Sequence, residues 1–339
     1  IWARTVRNLA DAGAKVIAID IMFDKPDHQT QNLKKYIENN DIKNIIIKDG
    51  DREFLNAIEY ARNKGSIVVL SGKMAREETR IPPDYLLNPA PVLMDVKYKQ
   101  NVGLVNVDPD IDEFFRRYTM FIPIAGDTST HYAFGIEAVL RYLDVDESPN
   151  PILNEVDKTI SIGPLTVPTY GWGNTYPLNY YGPTSSKYGT FYTCPLSNVV
   201  DTKDYLIGKS TYDPMFDIYE YLEDTDWMDM YIDEEHPLHM FFKEKNPFKN
   251  KIVLIGSSLA EHQDIQPHTN LMPGVELHAN AIQQLLHENY IKMPTGTLEY
   301  DSQNRSSHIL IIFFLTLITL LLVTKPEPMI ALSIMLAEL

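Results

Sequence analysis

The sequence is short of cysteine and of basic charge, and each shortage excludes a class of protein. Cys194 is the one cysteine in 339 residues, so the chain forms no internal disulfide and has no set of thiolates for a zinc site. The 30 Lys and Arg are outnumbered by 46 Asp and Glu, which gives a formal net charge of −16. Because an acidic chain is repelled by phosphate backbones, we expect no nucleic-acid partner.

The motifs of nucleotide-binding loops and serine hydrolases are also absent. Gly256-Ser257-Ser258 follows a strand-like run, but it lacks both the Gly-x-x-x-x-Gly-Lys of a phosphate-binding loop and the Gly-x-Ser-x-Gly of a hydrolase. We interpret these residues as a tight turn after a strand. An anchored hydrolase that uses Ser257 or Ser258 with His262 or His268 is kept as an alternative, although no nucleophile motif supports it.

We predict no metal and no cofactor from the histidines and carboxylates. Glu261, His262, Asp264 and His268 lie within eight positions, but their spacing matches no compact metal motif. A polar loop that joins two elements explains the same composition.

Three aspartates alternate in the segment VDPDIDEFFRR, at Asp108, Asp110 and Asp112. Carboxylates in a short turn suit a cation, yet the glycine and the closing glutamate of a calcium loop are missing. Arg116 and Arg117 follow at once and can neutralise the aspartates. We therefore predict a turn held by salt bridges, with a cation site as the alternative.

Long apolar runs are missing from most of the chain, and the exception lies near its end. Residues 306–324 read SSHILIIFFLTLITLLLVT, without a full charge and without a polar stripe. This predicts a transmembrane helix rather than the buried helix of a soluble protein. Residues 328–339 predict the start of a second, truncated span, and the flanking charges do not orient the first. The opening IWARTVRNLADAG has no start Met and no signal peptide, so we expect a fragment trimmed at its N-terminus.

Hydrophobic periodicity predicts alternating helices and strands over residues 1–305. We predict helices at 1–12, 51–65, 131–143 and 272–290, strands at 15–23, 66–72, 176–182, 189–200 and 251–258, and hairpins at 101–124 and 158–169. Residues 28–50 are predicted as a polar insertion around a weak helix, 81–95 as a loop, and 213–237 as an acidic, solvated face with interleaved aromatics. The pattern indicates a single α/β domain with a mixed sheet flanked by helices.

A histidine lies on the apolar face of the last predicted helix of this domain. The stretch MPGVELHANAIQQLLHENY, residues 272–290, places Val275, Ala279 and Ile282 on one face, and His278 falls on the same face. We interpret His278 as a buried residue whose ring nitrogens are satisfied by backbone or by a nearby acid. A pH-sensing or ligand-contacting role is the alternative.

Several blocks of the chain, in order, resemble the type 2 CHASE domain, an extracellular sensing domain associated with cyclases and histidine kinases. The most specific is the Pro-Gly-Val-Glu-x-His-Ala-Asn helix at 272–286. The other blocks are GAKVIAIDIMFDKPD at 13–27, GLVNVDPDIDEFFRRYTMFIP at 103–123, YAFGIEAVLRYL at 132–143, LNYYGP at 178–183 and FKNKIVLIGSSLAEHQD at 248–264.

The chain departs from that family in its turns. Asp112-Glu113 stands where the family commonly has Asp-Gly, the loop DIQPHTNLMPG at 264–274 is altered, and the insertion at 28–50 is idiosyncratic. Ligand specificity therefore does not carry over from the family.

The resemblance implies an extracytoplasmic sensor, residues 1–305, that is not itself an enzyme. In this family one span precedes the domain and usually three follow, so 306–324 and 328–339 correspond to later spans of a multi-pass protein in the cell membrane. A cytoplasmic nucleotide cyclase, histidine kinase, Ser/Thr kinase or diguanylate cyclase then follows as output. We expect a homodimer with an unidentified small-molecule or protein ligand. A scaffold that holds a partner through the face at 213–242 is the alternative.

Polar residues in the matching turns and at strand ends are the candidate ligand-binding residues, because open α/β sheets tend to bind ligands there. They are Asp20, Asn106, Asp108, Asp110, Arg116, Ser257, Asp264, His278 and Asn280.

Overall fold

The computed structural model describes residues 1–40, 42, 45, 47–94, 101–124, 129–169, 173–185, 189–200, 246–258, 263–265, 271–291 and 310–319. The helices within the domain are α1 (Trp2–Asp11), α2 (His28–Asn39), α3 (Gly50–Asn63), α4 (Phe134–Tyr142), α5 (Ser197–Val200) and α6 (Gly274–His287), with a 3-10 turn at Pro91–Leu93. The strands are β1 (Val16–Asp20), β2 (Ile67–Arg76), β3 (Asp84–Leu87), β4 (Asn101–Leu104), β5 (Arg117–Thr119), β6 (Phe121–Ile122), β7 (His131–Tyr132), β8 (Ile152–Asn154), β9 (Thr159–Ile162), β10 (Leu165–Pro168), β11 (Thr175–Pro177), β12 (Ile252–Gly256), β13 (Gln263–Ile265) and β14 (Leu271–Pro273).

A parallel sheet in the order β12–β1–β2–β4 forms the centre of the domain. β3 joins it antiparallel, beside the carboxyl half of β2, so the sheet is mixed, as predicted. β1 is buried along its length until the half-buried Asp20. Its sequence VIAID is continuously apolar up to that point because helices cover both faces of the sheet.

Helices α1 and α3 cover one face of the sheet. Alternate residues of a strand point to opposite faces, and Ile17 and Ile19 of β1 point toward this pair of helices. They pack in one buried cluster with Val6 and Leu9 of α1 and Phe54 of α3. The Asp49 side chain accepts a hydrogen bond from the backbone N–H of Arg52 and caps the start of α3.

Helices α4 and α6 cover the opposite face. Val16 and Ala18 point toward them and share a cluster with Phe134 of α4 and Leu277 and Ala281 of α6.

Two glycines let these helices lie directly on the strand ends. A Cβ at Gly103 would lie 2.5 Å from the Cα of Phe134, and one at Gly256 would lie 2.5 Å from the Cβ of Val275. Any larger residue at either position would push a helix off the sheet.

A two-stranded ladder of β5 and β11 packs beside α4 and α6. Tyr118 of β5 pairs in register with Tyr176 of β11, and both rings are fully buried. Other short antiparallel ladders are β6–β7, β8–β9–β10 and β13–β14. The β9–β10 ladder confirms the hairpin predicted at 158–169.

Three predictions made from the sequence are wrong, and the strand predicted at 176–182 is confirmed only for Tyr176 and Pro177. Residues 101–124 are not a hairpin, because β4 extends the parallel sheet and β5 pairs with β11. Residues 189–200 contain no strand; their aromatic residues suggested one, but the chain turns at Pro195 into α5. Residues 81–95 are not wholly loop, because Asp84–Leu87 pairs with β2 between the flanking prolines.

The turn between β4 and β5 contains a residue in a left-handed conformation. Glu113 has φ 66°, a region that costs about 1–2 kcal/mol for residues with a Cβ. Two backbone hydrogen bonds fix the turn, from Asp110 N to Phe114 O at 2.8 Å and from Glu113 N to Asp110 O at 2.9 Å. This backbone explains why the family that the chain resembles commonly has glycine at position 113.

The predicted membrane span at 306–324 lies only partly within the described ranges. Residues 310–319 are helical with exposed side chains. None of the helices in the described ranges has the length and apolar character that a membrane crossing requires. The predicted start of a second span at 328–339 and the acidic face at 213–237 lie outside the described residues. All three stay predictions.

We predict that Glu113→Gly stabilises the domain by about 1 kcal/mol, because glycine adopts positive φ without steric cost. Thermal unfolding measures the change. Glu113→Ala is the matched control, since it removes the same side chain but keeps a Cβ. Equal stability of the two variants would show that the backbone conformation is not the source of the effect.

Candidate functional site

His278 lies at the centre of a buried contact between three elements. It is on α6 with 2% of its surface exposed, and its Nδ1 lies 2.7 Å from the hydroxyl oxygen of Tyr118 on β5. That oxygen accepts a hydrogen bond of 2.9 Å from the backbone N–H of Gly135 in α4. No other acceptor for the Tyr118 hydrogen is found among the described residues, so we assign Tyr118 as the donor and Nδ1 of neutral His278 as the acceptor. His278 is buried, as interpreted, but its described partner is a tyrosine hydroxyl and not backbone or an acid.

Burial sets the charge of this contact. It lowers the pKa of His278 below its usual value of 6.5, and the carboxylate of Asp20 acts in the opposite direction. Burial also raises the pKa of Tyr118, with a further contribution from Asp20. At neutral pH the pair is therefore a neutral imidazole and a neutral phenol, with a carboxylate nearby.

A second tyrosine of the cluster has an unsatisfied hydroxyl. The ring of Tyr176 lies 5.8 Å from that of Tyr118 and 6.1 Å from that of Tyr290, measured between centroids. Within the described part of the chain, the buried Tyr176 hydroxyl has no hydrogen-bond partner. Such a group is costly to leave unpaired in a buried site.

Three polar side chains of α6 hold the segment 177–185. Gln284 accepts a hydrogen bond from Asn179 N at 2.9 Å and donates one to Pro177 O at 2.9 Å. Asn280 accepts from Tyr181 N at 2.9 Å.

Glu276 completes the set at the amino end of α6. Its carboxylate accepts from Ser185 N and Ser185 Oγ, both at 2.9 Å, and from Thr184 Oγ1 at 3.1 Å. These three α6 residues, which we call the α6 polar row, are four positions apart and so lie on one side of the helix. They bond to a segment whose backbone pairs with β5 only as far as Leu178 in the described structure.

The carboxyl edge of the parallel sheet brings several predicted residues to one side of the molecule. Asp20, at the end of β1, is in register with Gly256, so Ser257 follows beside it. Asn106 comes just after β4 at the same edge. Its amide accepts from Met74 N at 2.7 Å and donates to Met74 O at 3.0 Å, so this side chain extends the pairing of β2.

The acidic turn after β4 contains ion pairs, as the sequence predicted. Arg116 binds both carboxylate oxygens of Asp112, at 2.6 and 2.8 Å, and one oxygen of Asp110 at 3.1 Å. Arg117 binds the other oxygen of Asp110, whereas Asp108 lies exposed before the turn. No cluster of His, Cys, Asp and Glu that could hold a metal occurs among the described residues.

The remaining predicted residues lie outside the contacts described above. Asp264 is in β13, where its backbone pairs with Met272. Glu261, His262 and His268 lie outside the described residues. The alternative of a hydrolase therefore stays untested, because both of its histidines lie outside the described residues.

Comparison with known families decides the identity of the domain. A model of the CHASE2 domain matches residues 1–321. The chain belongs to the CHASE2 family. Members of this family are extracellular sensory domains of signalling receptors, which confirms the resemblance seen in the sequence. Comparisons with curated proteins and with solved structures gave no significant match.

The most specific CHASE2 block of the sequence coincides with the contacts of α6. Glu276, His278 and Asn280 all lie in its Pro-Gly-Val-Glu-x-His-Ala-Asn motif, and each makes a buried hydrogen bond. Their partners Tyr181 and Ser185 lie in or next to the LNYYGP block. In this CHASE2 domain the two blocks therefore bind each other.

Sequence reasoning missed part of this site. Tyr118, Tyr176, Glu276 and Gln284 were not predicted as site residues. The spacing of the α6 polar row was a usable signal for two of them, because a polar row beside an apolar face needs partners. The two tyrosines carried no such signal, since buried aromatic residues in short strands are common.

We predict that Gln284→Ala destabilises the domain by about 1–3 kcal/mol, because it leaves the backbone groups of Asn179 and Pro177 without partners. Chemical denaturation measures the loss. Gln283→Ala is the matched control, with the same change on the neighbouring, half-buried position of α6. Equal effects of the two substitutions would contradict a specific role of the α6 polar row.

We predict that Gly135→Ala is destabilising, although alanine is the better helix former. The added Cβ would lie 2.7 Å from the Tyr118 hydroxyl oxygen, and overpacking of this kind costs about 1–3 kcal/mol. Tyr118→Phe removes that oxygen, so part of the loss should be recovered in the double variant. Strictly additive free energies of unfolding would exclude this contact as the cause.

Proposed function

We propose that residues 1–305 are the extracytoplasmic sensory module of a transmembrane receptor, and that they regulate a cytoplasmic nucleotide cyclase, a histidine or Ser/Thr kinase, or a diguanylate cyclase. The match to the CHASE2 family over residues 1–321 carries this proposal. The module is a sensor domain and not itself catalytic.

A membrane location is part of the proposal. The apolar run at 306–324 is the proposed first span after the domain, and 328–339 is the start of the next. Eight apolar side chains in the helical residues 310–319, from Leu310 to Ile318, are between 38% and 63% exposed. A lipid environment would cover such a surface, whereas water would leave it exposed.

Helix α6 is the proposed element of signal transmission. It is the last described helix before the apolar run, and about twenty residues separate its end at His287 from residue 306. A displacement of α6 would therefore reach the span through a short linker. The hydrogen bonds of the α6 polar row couple the helix to the segment 177–185, so a displacement of one would displace the other.

The ligand site is proposed at the carboxyl edge of the parallel sheet. Asp20 and Ser257 lie together there, next to the start of α6, and the Asp20 carboxylate acts on His278. Open α/β sheets bind ligands at this edge. We further propose that the receptor works as a homodimer, since cyclase and kinase outputs usually act as dimers, and that a small molecule or a protein is the ligand.

Cysteine labelling in the full-length protein tests the orientation. Val156 is 90% exposed in the β8–β9 turn, and Cys194 and any other cysteines are first replaced by Ser. We expect Val156→Cys to react with a membrane-impermeant maleimide in intact cells.

The buried position Ala138, on α4, provides the control. Ala138→Cys should react only after denaturation. Labelling of Val156→Cys that requires disruption of the membrane would place the domain on the cytoplasmic side and overturn the proposed function. A gene that ends just beyond residue 339, without an output domain, would favour a membrane-anchored scaffold.

A further inference from the structure

The hydrogen bonds around His278 depend on its protonation state. Gly135 N–H donates to the Tyr118 oxygen, and Tyr118 is assigned as the donor to Nδ1 of neutral His278. We propose that α6 is an acid-sensitive contact: protonation of His278 separates it from Tyr118 and loosens the segment 177–185 that the α6 polar row holds. The inferred signal is acidification outside the cell.

An account of donors and acceptors supports this step. Neutral His278 accepts at Nδ1, but the imidazolium has an N–H on both nitrogens and accepts nowhere. Its Nδ1–H would then face the hydrogen of Tyr118. The Tyr118 hydrogen would have to turn away, where no described acceptor is bonded to it, so a buried hydrogen bond is lost as a charge enters the core.

The groups that face His278 determine how its protonation affects the contact with Tyr118. The carboxylate of Asp20, on β1, favours the protonated His278 ring. The ring of Phe134, on α4, lies edge-on with its centroid 5.1 Å from that of His278 and offers no acceptor for an added proton. The phenol of Tyr118, on β5, contacts His278 directly, and the ring of the neutral Tyr176 packs against Tyr118. The nearest acid on α6, Glu276, is already bound to Ser185.

The position of His278 within α6 links this change to the segment 177–185. It lies between Glu276 and Asn280 in sequence but on the opposite side of the helix, and both of those residues hold that segment. Asn280 is fully buried, so it cannot exchange its partner for water while the helix stays in place. A shift of α6 relative to Tyr118 therefore also changes the distances of these hydrogen bonds.

The direction with pH follows from the lowered pKa of His278. Unfolded or opened chains bind a proton near the usual value of 6.5, whereas the closed contact binds it only at lower pH. The closed contact is therefore fully stable above about pH 6.5 and loses stability as the pH falls toward the depressed pKa. A depression of one unit corresponds to a tenfold change in population.

Hydrogen exchange of the full-length protein, corrected for intrinsic rates, tests the proposal. We expect residues 274–287 and 177–185 to exchange about tenfold faster at about pH 5 than at about pH 7.5. His278→Gln should abolish the difference. His287→Gln, on the exposed side of the same helix, should retain it, and α3 should show no change.

Asp20→Asn provides a second variant if His278→Gln does not fold. Loss of the carboxylate disfavours the imidazolium, so the exchange midpoint should move to lower pH. Equal exchange of α6 at both pH values in the unsubstituted protein, a difference that persists in His278→Gln, or an unmoved midpoint in Asp20→Asn would each overturn the proposal.

This inference rests on the proposed function for its meaning, because only an outward-facing domain meets external acid. The two fail separately. Cytoplasmic labelling of Val156→Cys would remove the receptor interpretation and leave the exchange result intact, whereas pH-independent exchange would remove the acid response and leave the orientation intact.

Discussion

Burial of polar groups is the constraint on which the rest of this domain depends. Helix α6 is largely enclosed, yet it carries Glu276, His278, Asn280 and Gln284 toward the interior. Each such group would cost about 1–3 kcal/mol without a partner. The segment 177–185 has the complementary need, because the described backbone pairing with β5 ends at Leu178. The polar side chains of α6 and the backbone of this segment therefore satisfy each other's hydrogen bonds. This contact also fixes the position of β11, and with it the ring of Tyr176 between those of Tyr118 and Tyr290.

The two halves of the structure differ in how they are held. On one face of the sheet, α1 and α3 pack through a cluster of aliphatic and aromatic side chains, and the ion pairs that join them, Arg7–Glu53 and Lys64–Asp11, are partly exposed. On the other face, α4 and α6 combine an apolar cluster with directed hydrogen bonds and a buried pair, Glu137 and Arg141. Apolar packing tolerates small shifts, whereas hydrogen bonds are made or broken. A bistable element is therefore expected on the second face.

Much of the central sheet could be predicted from the sequence, because its strands are continuous apolar runs and its helices have a clear period. The segment 101–124 could not be, since strand length and an acidic turn look the same in a hairpin and in a crossover between two sheets. The pairing of β4 with β2 depends on contacts distant in sequence. The α6 polar row was readable from spacing, but its partners were not, because the LNYYGP block lies about a hundred residues earlier.

The close contact between Gly256 and Val275 limits how α6 can move. The side chain of Val275, in the first turn of the helix, lies where a Cβ of residue 256 would be. A tilt of the helix about this amino end keeps that contact, whereas a slide along the sheet breaks it. A helix of 14 residues is about 21 Å long, so a tilt of about 5° displaces its far end by about 2 Å. A tilt about the contact at Gly256 would therefore move the carboxyl end of α6 further than its amino end.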